Sequence, residues 1–231
     1  MKIEISKDLF KKIPQLKIGV NHYTGITVSE SPQMLKGRLQ LFQEQLYFEL
    51  DQKPLSDFPG IQEWRETWKT LGGDPTTCPP SVDRLYSRIK EQDYLQSMHT
   101  AVDLNSFFSL QYEIPTGIYD LNDLVGNIQL TLGKDDDRYD GLNGRTNELD
   151  NILMLRDDYS PFGSPYVDSI RSAVTEETTD ALQIIFLKPS MGVEEAQKLT
   201  EASGNMFTSI SGGESVSYVL YSDQPMIEWT R

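Results

Sequence analysis

The spacing of apolar residues changes partway along this chain, and no other feature constrains its fold as strongly. Leu35, Leu39, Phe42 and Leu46 recur in steps of three and four, as do Ile61, Trp64, Trp68 and Leu71 after Pro59-Gly60, and Val82, Leu85 and Ile89 after Pro79-Pro80. That period lays each set along one face of an α-helix. After Pro115 the apolar runs are short: Ile128-Gln129-Leu130-Thr131-Leu132, Ile152 to Leu155, and Ala181 to Leu187. Between the first two lie Asp140-Gly141 and Asn143-Gly144, pairs that adopt positive φ readily and favour tight hairpin connections. Helices grouped ahead of strands, with a late helix from about Val193 to Ile210 before a strand at Val216–Leu220, predict an α+β architecture. They argue against a doubly wound parallel sheet. The sheet is expected to be largely antiparallel or mixed, with a late β-α-β element.

Local signals place further boundaries. Leu16 to Val20 and Ile26-Thr27-Val28 read as two strands or one bent strand, with Gly25 between them. Gly72-Gly73 ends the second helix, and Ser81 is positioned to accept a hydrogen bond from a first-turn amide of the third. Thr100 to about Leu110 reads as a fourth helix, with strand as the alternative because of Phe107-Phe108 and the β-branched residues. A chain of 231 residues buries on the order of 70% of its unfolded surface. It therefore needs no disulfide framework, and its single cysteine, Cys78, rules out an intramolecular disulfide.

With 35 acidic against 21 basic side chains, the formal charge is −14. Phosphate contacts supply most nucleic-acid affinity, so a field of this sign opposes strong non-specific binding. DNA is not an expected partner. Arg84, Arg88 and Lys90 cluster in one segment, which reads either as a solvated helix surface or as a basic face. No apolar run approaches the roughly 20 residues that cross a bilayer, and Met1 to Ile5 lacks the features of a signal peptide. No membrane association is expected, and the cytoplasm is the expected location.

Motifs for familiar chemistry are missing. There is no glycine-rich phosphate loop and no serine elbow between spaced glycines. His22 and His99 have no cysteine company, and they read as a strand residue and a residue at the start of a helix. The acidic run Asp135 to Gly141 fails the calcium-loop register, since Arg138 falls where a carboxylate is required and Asn147 where a bidentate Glu is required. It reads as a solvated hairpin tip. No metal and no cofactor is expected.

Two polar stretches are harder to absorb into packing. Asp103, Asn105 and Ser106 lie among buried-type residues, followed by Pro115-Thr116-Gly117-Ile118-Tyr119-Asp120, and buried polar groups without partners cost about 1–3 kcal/mol each. One reading has Asp103, Asn105 and Asp120 capping helices and fastening the Pro-Thr-Gly turn. The other makes them the wall of a pocket. The second stretch, Ser169 to Thr179, reads either as an exposed Ser/Thr-rich strand or as the facing wall, with Arg171 offering a cationic fork to a carboxylate or phosphate.

Several pieces together resemble the B3/B4 domain of the phenylalanyl-tRNA synthetase β subunit, in the free-standing form that occurs as a separate small protein. They run in the family's order: Trp68 to Pro75, Pro80 to Leu85 with Arg88, Val102-Asp103-Leu104-Asn105, Pro115 to Leu121, Leu155-Arg156-Asp157, and Arg171-Ser172. The motifs cover Glu63 to Leu187. The resemblance implies one α+β domain over residues 1–231, with 1–60 as a strand and helix region preceding the family core. Within the synthetase this domain hydrolyses tyrosine wrongly attached to the phenylalanine tRNA. Asn105-Ser106 then stands in place of the family's Thr-Asn pair, and Gly117 where the bacterial motif Pro-Met-His-Ala-Phe-Asp has its His. The Glu that recognises the tyrosine hydroxyl falls near Ile170-Arg171. Asp103, Asn105, Ser106, Gly117, Tyr119 and Arg171 are the expected substrate contacts, with no catalytic residue assigned. Two functions follow: a deacylase that hydrolyses a mischarged aminoacyl-tRNA ester in trans, or a non-catalytic module that binds an amino acid, a small metabolite or a protein partner.

Overall fold

Lys2-Ile3-Glu4-Ile5 alternates inward and outward and forms a strand, β1 (Lys2–Ile5), which the helix and strand signals above leave unassigned. A computed structural model describes residues 1–229. After β1 come α1 (Lys7–Lys12), β2 (Ile18–Thr24), α2 (Gln33–Gln52), α3 (Pro59–Leu71), α4 (Ser81–Lys90) and α5 (Thr100–Tyr112). The second half holds β3 (Thr116–Asp120), β4 (Ile128–Leu132), β5 (Arg138–Asp140), β6 (Thr146–Glu148), β7 (Leu153–Arg156), β8 (Pro161–Gly163) and β9 (Ala181–Phe186). It ends with α6 (Val193–Ser211), β10 (Glu214–Leu220) and β11 (Met226–Glu228). The architecture is α+β.

Two sheets carry the fold. One has the order β11-β1-β4-β7-β8, antiparallel except for the parallel pair β1 and β4, and the other has the order β10-β2-β9-β3, antiparallel throughout. Strands β5 and β6 form a separate ribbon with Asp140 opposite Thr146, so the Asp-Gly and Asn-Gly pairs do occupy a hairpin tip. The apolar faces explain the layering. Val20, Tyr119, Leu182 and Ile184 of the four-stranded sheet join Ile3, Leu130, Leu155 and Phe162 of the other sheet in the largest core cluster. Alternation turns their neighbours Tyr23, Ile118 and Ala181 to the opposite face, where they pack with Leu104 of α5 and Phe207 of α6. A third cluster, built from Leu39, Leu46, Ile61, Val82, Ile89 and Phe107, joins α2, α3, α4 and α5.

Helix ends follow the sequence in part. Gly72 takes φ +108° and closes α3 with its amide on Lys69 and Trp68 carbonyls, a left-handed conformation that glycine adopts without strain. Ser81 is not a cap: Pro80 holds that position, no side-chain cap bond forms, and the Ser81 amide instead donates to the Pro165 carbonyl at 2.7 Å. His99 caps α5, its Nδ1 accepting from the Val102 amide at 3.4 Å. Two expected strands do not form. Ile26 and Val28 follow the turn at Gly25 as buried irregular chain, because they pack beside Tyr23 and Phe207 rather than pairing with a neighbouring strand. Ser169 to Thr179 is a 3₁₀ turn at Ile170–Ser172 and loops, with Thr178 buried on the Asp120 carboxylate at 2.5 Å. Among the described residues no helix is long and apolar enough to cross a membrane.

Candidate functional site

Three elements meet around a cleft of about 530 Å³. The first is α4, whose Ser81, Arg84, Leu85 and Arg88 form one wall. The second is α5 with the segment before it, contributing Leu95, Met98, Val102, Asp103 and Ser106. The third is the loop after β8 with the β5–β6 hairpin tip, contributing Tyr166, Val167, Asp168, Leu142 and Asn143. Each wall is fixed by local chemistry. Arg65 of α3 holds the α4 wall through a two-bond pair with buried Asp83, at 2.5 and 3.0 Å. Asp103 accepts from Ser97 Oγ at 2.5 Å and from the Met98 amide at 3.0 Å, clasping the segment that leads into α5. Ser164 Oγ accepts from the Tyr166 and Val167 amides, and the Tyr139 hydroxyl donates to the Val167 carbonyl at 2.5 Å, so the third wall is an ordered turn.

Asp168 is the most unusual group in the cleft. The Tyr119 hydroxyl donates to its Oδ1 at 2.7 Å, and the Ser164 amide approaches the same oxygen at 3.4 Å. Oδ2 accepts no hydrogen bond among the described residues. Burial pushes the carboxyl up to about 7, outweighing the opposite pull of those two bonds. At neutral pH it thus exchanges its proton readily, which suits a group that gives or takes protons in a reaction. Arg84 faces solvent with its guanidinium 5.6 Å from the Tyr166 ring, and Arg88 pairs with Asp93 at 2.7 Å. Two of the three clustered cations therefore border the cleft, while Lys90 lies in a separate hollow beside the end of α2.

The expected site residues divide. Asp103 and Ser106 line the cleft, and Tyr119 reaches it through Asp168. Asn105 fastens the Pro-Thr-Gly turn instead: its Nδ2 donates to the Thr116 carbonyl at 3.2 Å and its Oδ1 accepts from Gln183 at 3.1 Å. Gln183 in turn accepts from Asn21, Tyr23 and Ser203, which ties Asn105 into a buried polar network on the helical face of the sheet. Gly117 lies on the opposite face, where a Cβ would stand 2.1 Å from Tyr119 Oη and so could not be accommodated without moving the ring. Gly117→Ala is accordingly expected to cost about 1–3 kcal/mol by overpacking, read as a lower urea midpoint, and to disturb the Tyr119 bond to Asp168.

Arg171 requires a correction. Its guanidinium donates to the Asp123 carbonyl at 2.6 Å, to Asp157 Oδ2 at 3.1 Å and to the Ser160 carbonyl at 3.4 Å, with the Tyr159 and Phe162 rings alongside. Both terminal nitrogens are thus committed to the protein, while the buried Nε has no hydrogen-bond partner among the described residues, and the side chain neither lines the cleft nor meets Asn105. Asp168, the missed member of the site, carries no periodic or motif signal; packing around it creates its property. Among the described residues no group of three or more His, Cys, Asp or Glu could hold a metal ion.

The family-model and curated-protein comparisons agree with the resemblance. A family model described as the B3/4 domain matches residues 63–206. The chain is 34% identical over 218 residues to uncharacterized protein YhzB of Bacillus subtilis, covering 92% of this chain and 96% of that protein. It is 24% identical over 195 residues to the phenylalanine–tRNA ligase beta subunit of Paramagnetospirillum magneticum, covering 68% of this chain and 24% of the ligase subunit. Among solved structures, an N-terminal fragment of the phenylalanyl-tRNA synthetase beta subunit from Pyrococcus horikoshii superimposes with a TM-score of 0.46 at 9% identity, covering 95% of this chain and 54% of the fragment.

Proposed function

The chain belongs to the B3/4 domain family, and from that premise we propose that it acts as one such unit, taking the aminoacylated end of a tRNA into the cleft and hydrolysing the ester in trans. The observation that carries this reading is Asp168, a carboxyl that titrates near neutrality on the cleft wall with one oxygen held by Tyr119. In its ionised form Asp168 takes a proton from a water molecule as that water attacks the ester carbonyl, and the Tyr119 bond fixes its orientation. Ser106, whose hydroxyl makes no protein hydrogen bond among the described residues, is placed to orient the substrate from the α5 wall. No nucleophilic triad is required, since positioning and aligned dipoles accelerate ester hydrolysis by themselves.

Arg84 and Arg88 place two cations at the border of the cleft on a chain of charge −14, Arg88 shared with Asp93. They are the expected phosphate contacts. Arg84→Gln with Arg88→Gln should weaken tRNA binding uniformly across sequences and flatten the salt dependence by about one unit of slope per lost phosphate contact. Filter binding at several ionic strengths reads both effects.

A second reading rests on Gly117. The family's His has no counterpart there, and Tyr119 fills the space a side chain would take. A pocket of that kind can bind an amino-acid-like ligand without catalysis. Deacylation of a panel of mischarged tRNAs separates the two: a wild-type rate no greater than that of Asp168→Asn leaves only the binding module.

A further inference from the structure

Helix α2 is apolar on two opposite faces. Leu35, Leu39, Leu46 and Leu50 are buried, as the period predicts. At 100° per residue, Met34, Leu41 and Phe48 fall in a row diametrically opposite them. These three are 72%, 67% and 68% exposed, spaced seven residues apart along one line of the helix. A surface helix normally keeps that side polar, so a second apolar row marks a face that something covers.

We propose that the cover is α2 of a second copy of this chain, packed antiparallel about a two-fold axis at Leu41. The row is its own complement in that arrangement: Leu41 meets Leu41, and Met34 of one copy meets Phe48 of the other. The flanking residues select the direction. Arg38, Gln45 and Glu49 lie on one flank, and Gln33, Gly37, Glu44 and Asp51 on the other. In a two-fold antiparallel pair like flanks meet, so Arg38 lies beside Gln45 and within reach of Glu49 of the second copy, twice per dimer. Gln33 faces Asp51, and Gly37 leaves room opposite Glu44. A parallel pair would bring Glu49 against Asp51, like charges that repel. Arg38 and Glu49 are exposed and free to make this contact, their present interactions being the Phe107 ring at 5.4 Å and a Lys53 pair at 3.4 Å. The interface lies on the side of α2 away from Leu39, so the cleft stays open in both copies.

Sedimentation of the full chain at micromolar concentrations should give twice the monomer mass, and Leu41→Lys should give the monomer with an unchanged circular dichroism spectrum. Phe48→Gln serves as a second variant should the lysine perturb the helix. Arg38→Glu should weaken the dimer, and combining it with Glu49→Arg should restore it. Direction is read by oxidative cross-linking in a Cys78→Ser background. Leu41→Cys should couple to itself, and Met34→Cys should couple to Phe48→Cys in a mixture. Met34→Cys alone should not, because its two copies would stand about 21 Å apart along the helix, beyond the span of a disulfide. A wild-type monomer at every concentration, a dimer indifferent to both Leu41→Lys and Phe48→Gln, or self-coupling of Met34→Cys overturns the proposal.

Discussion

Asp168→Asn is expected to lower single-turnover deacylation on the order of a hundredfold or more, the range over which positioned proton acceptors act, while leaving the cleft intact. Asn keeps an oxygen for the Tyr119 hydroxyl and the Ser164 amide but cannot accept the proton. The wild-type rate should rise with pH through about 7, where Asp168 ionises. Tyr119→Phe removes a bond that favours the ionised form, so the rising limb should move to higher pH. A profile unmoved by Tyr119→Phe would separate Asp168 from the pH dependence. Stability gives an independent reading of the same group. Its folded value is raised above the unfolded one, so its contribution is greatest at acid pH and is lost as pH climbs through the folded value. Asp168→Asn should therefore match wild type only below the unfolded carboxylate value, near pH 3, and exceed it in urea midpoint increasingly from there to pH 8.

Asp157→Ala is expected to cost about 3–5 kcal/mol, the usual consequence of leaving one partner of a buried ion pair alone. The Asp157 side chain is fully shielded and accepts from the Val125, Tyr159 and Ser160 amides as well as from Arg171. Burial alone would raise its pKa, but those four bonds outweigh it and hold the carboxyl below its ordinary value. Stability from this group is therefore present above the unfolded carboxylate range and is lost as pH falls through the depressed folded value. Arg171→Ala removes one of the groups that hold Asp157 ionised, so it should weaken this acid dependence and lower the urea midpoint at neutral pH, with ligand affinity of the folded protein unchanged. Affinity lost in proportion to a vacated anion site would return Arg171 to the list of ligand contacts.

The sequence made the helices legible because their cores repeat within a single element, as Ile61, Trp64 and Trp68 do. It also placed the hairpin tip, where two glycine pairs act locally. What it could not resolve depended on distant partners. Asp103, Asn105 and Asp120 admit both a fastening and a pocket reading until Met98, Thr116 and Thr178 are seen beside them. Arg171 reads as a ligand fork because nothing nearby in the chain announces Asp157 or the Asp123 carbonyl. Asp168 reads as an ordinary acid, since its raised value arises from surroundings drawn from β3, β8 and the ribbon. The outer row of α2 was visible in the spacing of Met34, Leu41 and Phe48, yet a period of seven coincides with the inner row's own repeat and is masked by it.

The pairing of β1 with β11, where Lys2 stands opposite Glu228, has a consequence for synthesis. Likewise β2 receives β10, with Thr24 opposite Glu214. Contacts so remote in sequence slow the search for the native state, and β1 and β2 each lack a partner along one side until β11 and β10 leave the ribosome. A stalled or shortened nascent chain would carry those bare margins, a ready template for intermolecular strand exchange, so efficient production depends on finishing translation quickly or on a chaperone covering them meanwhile.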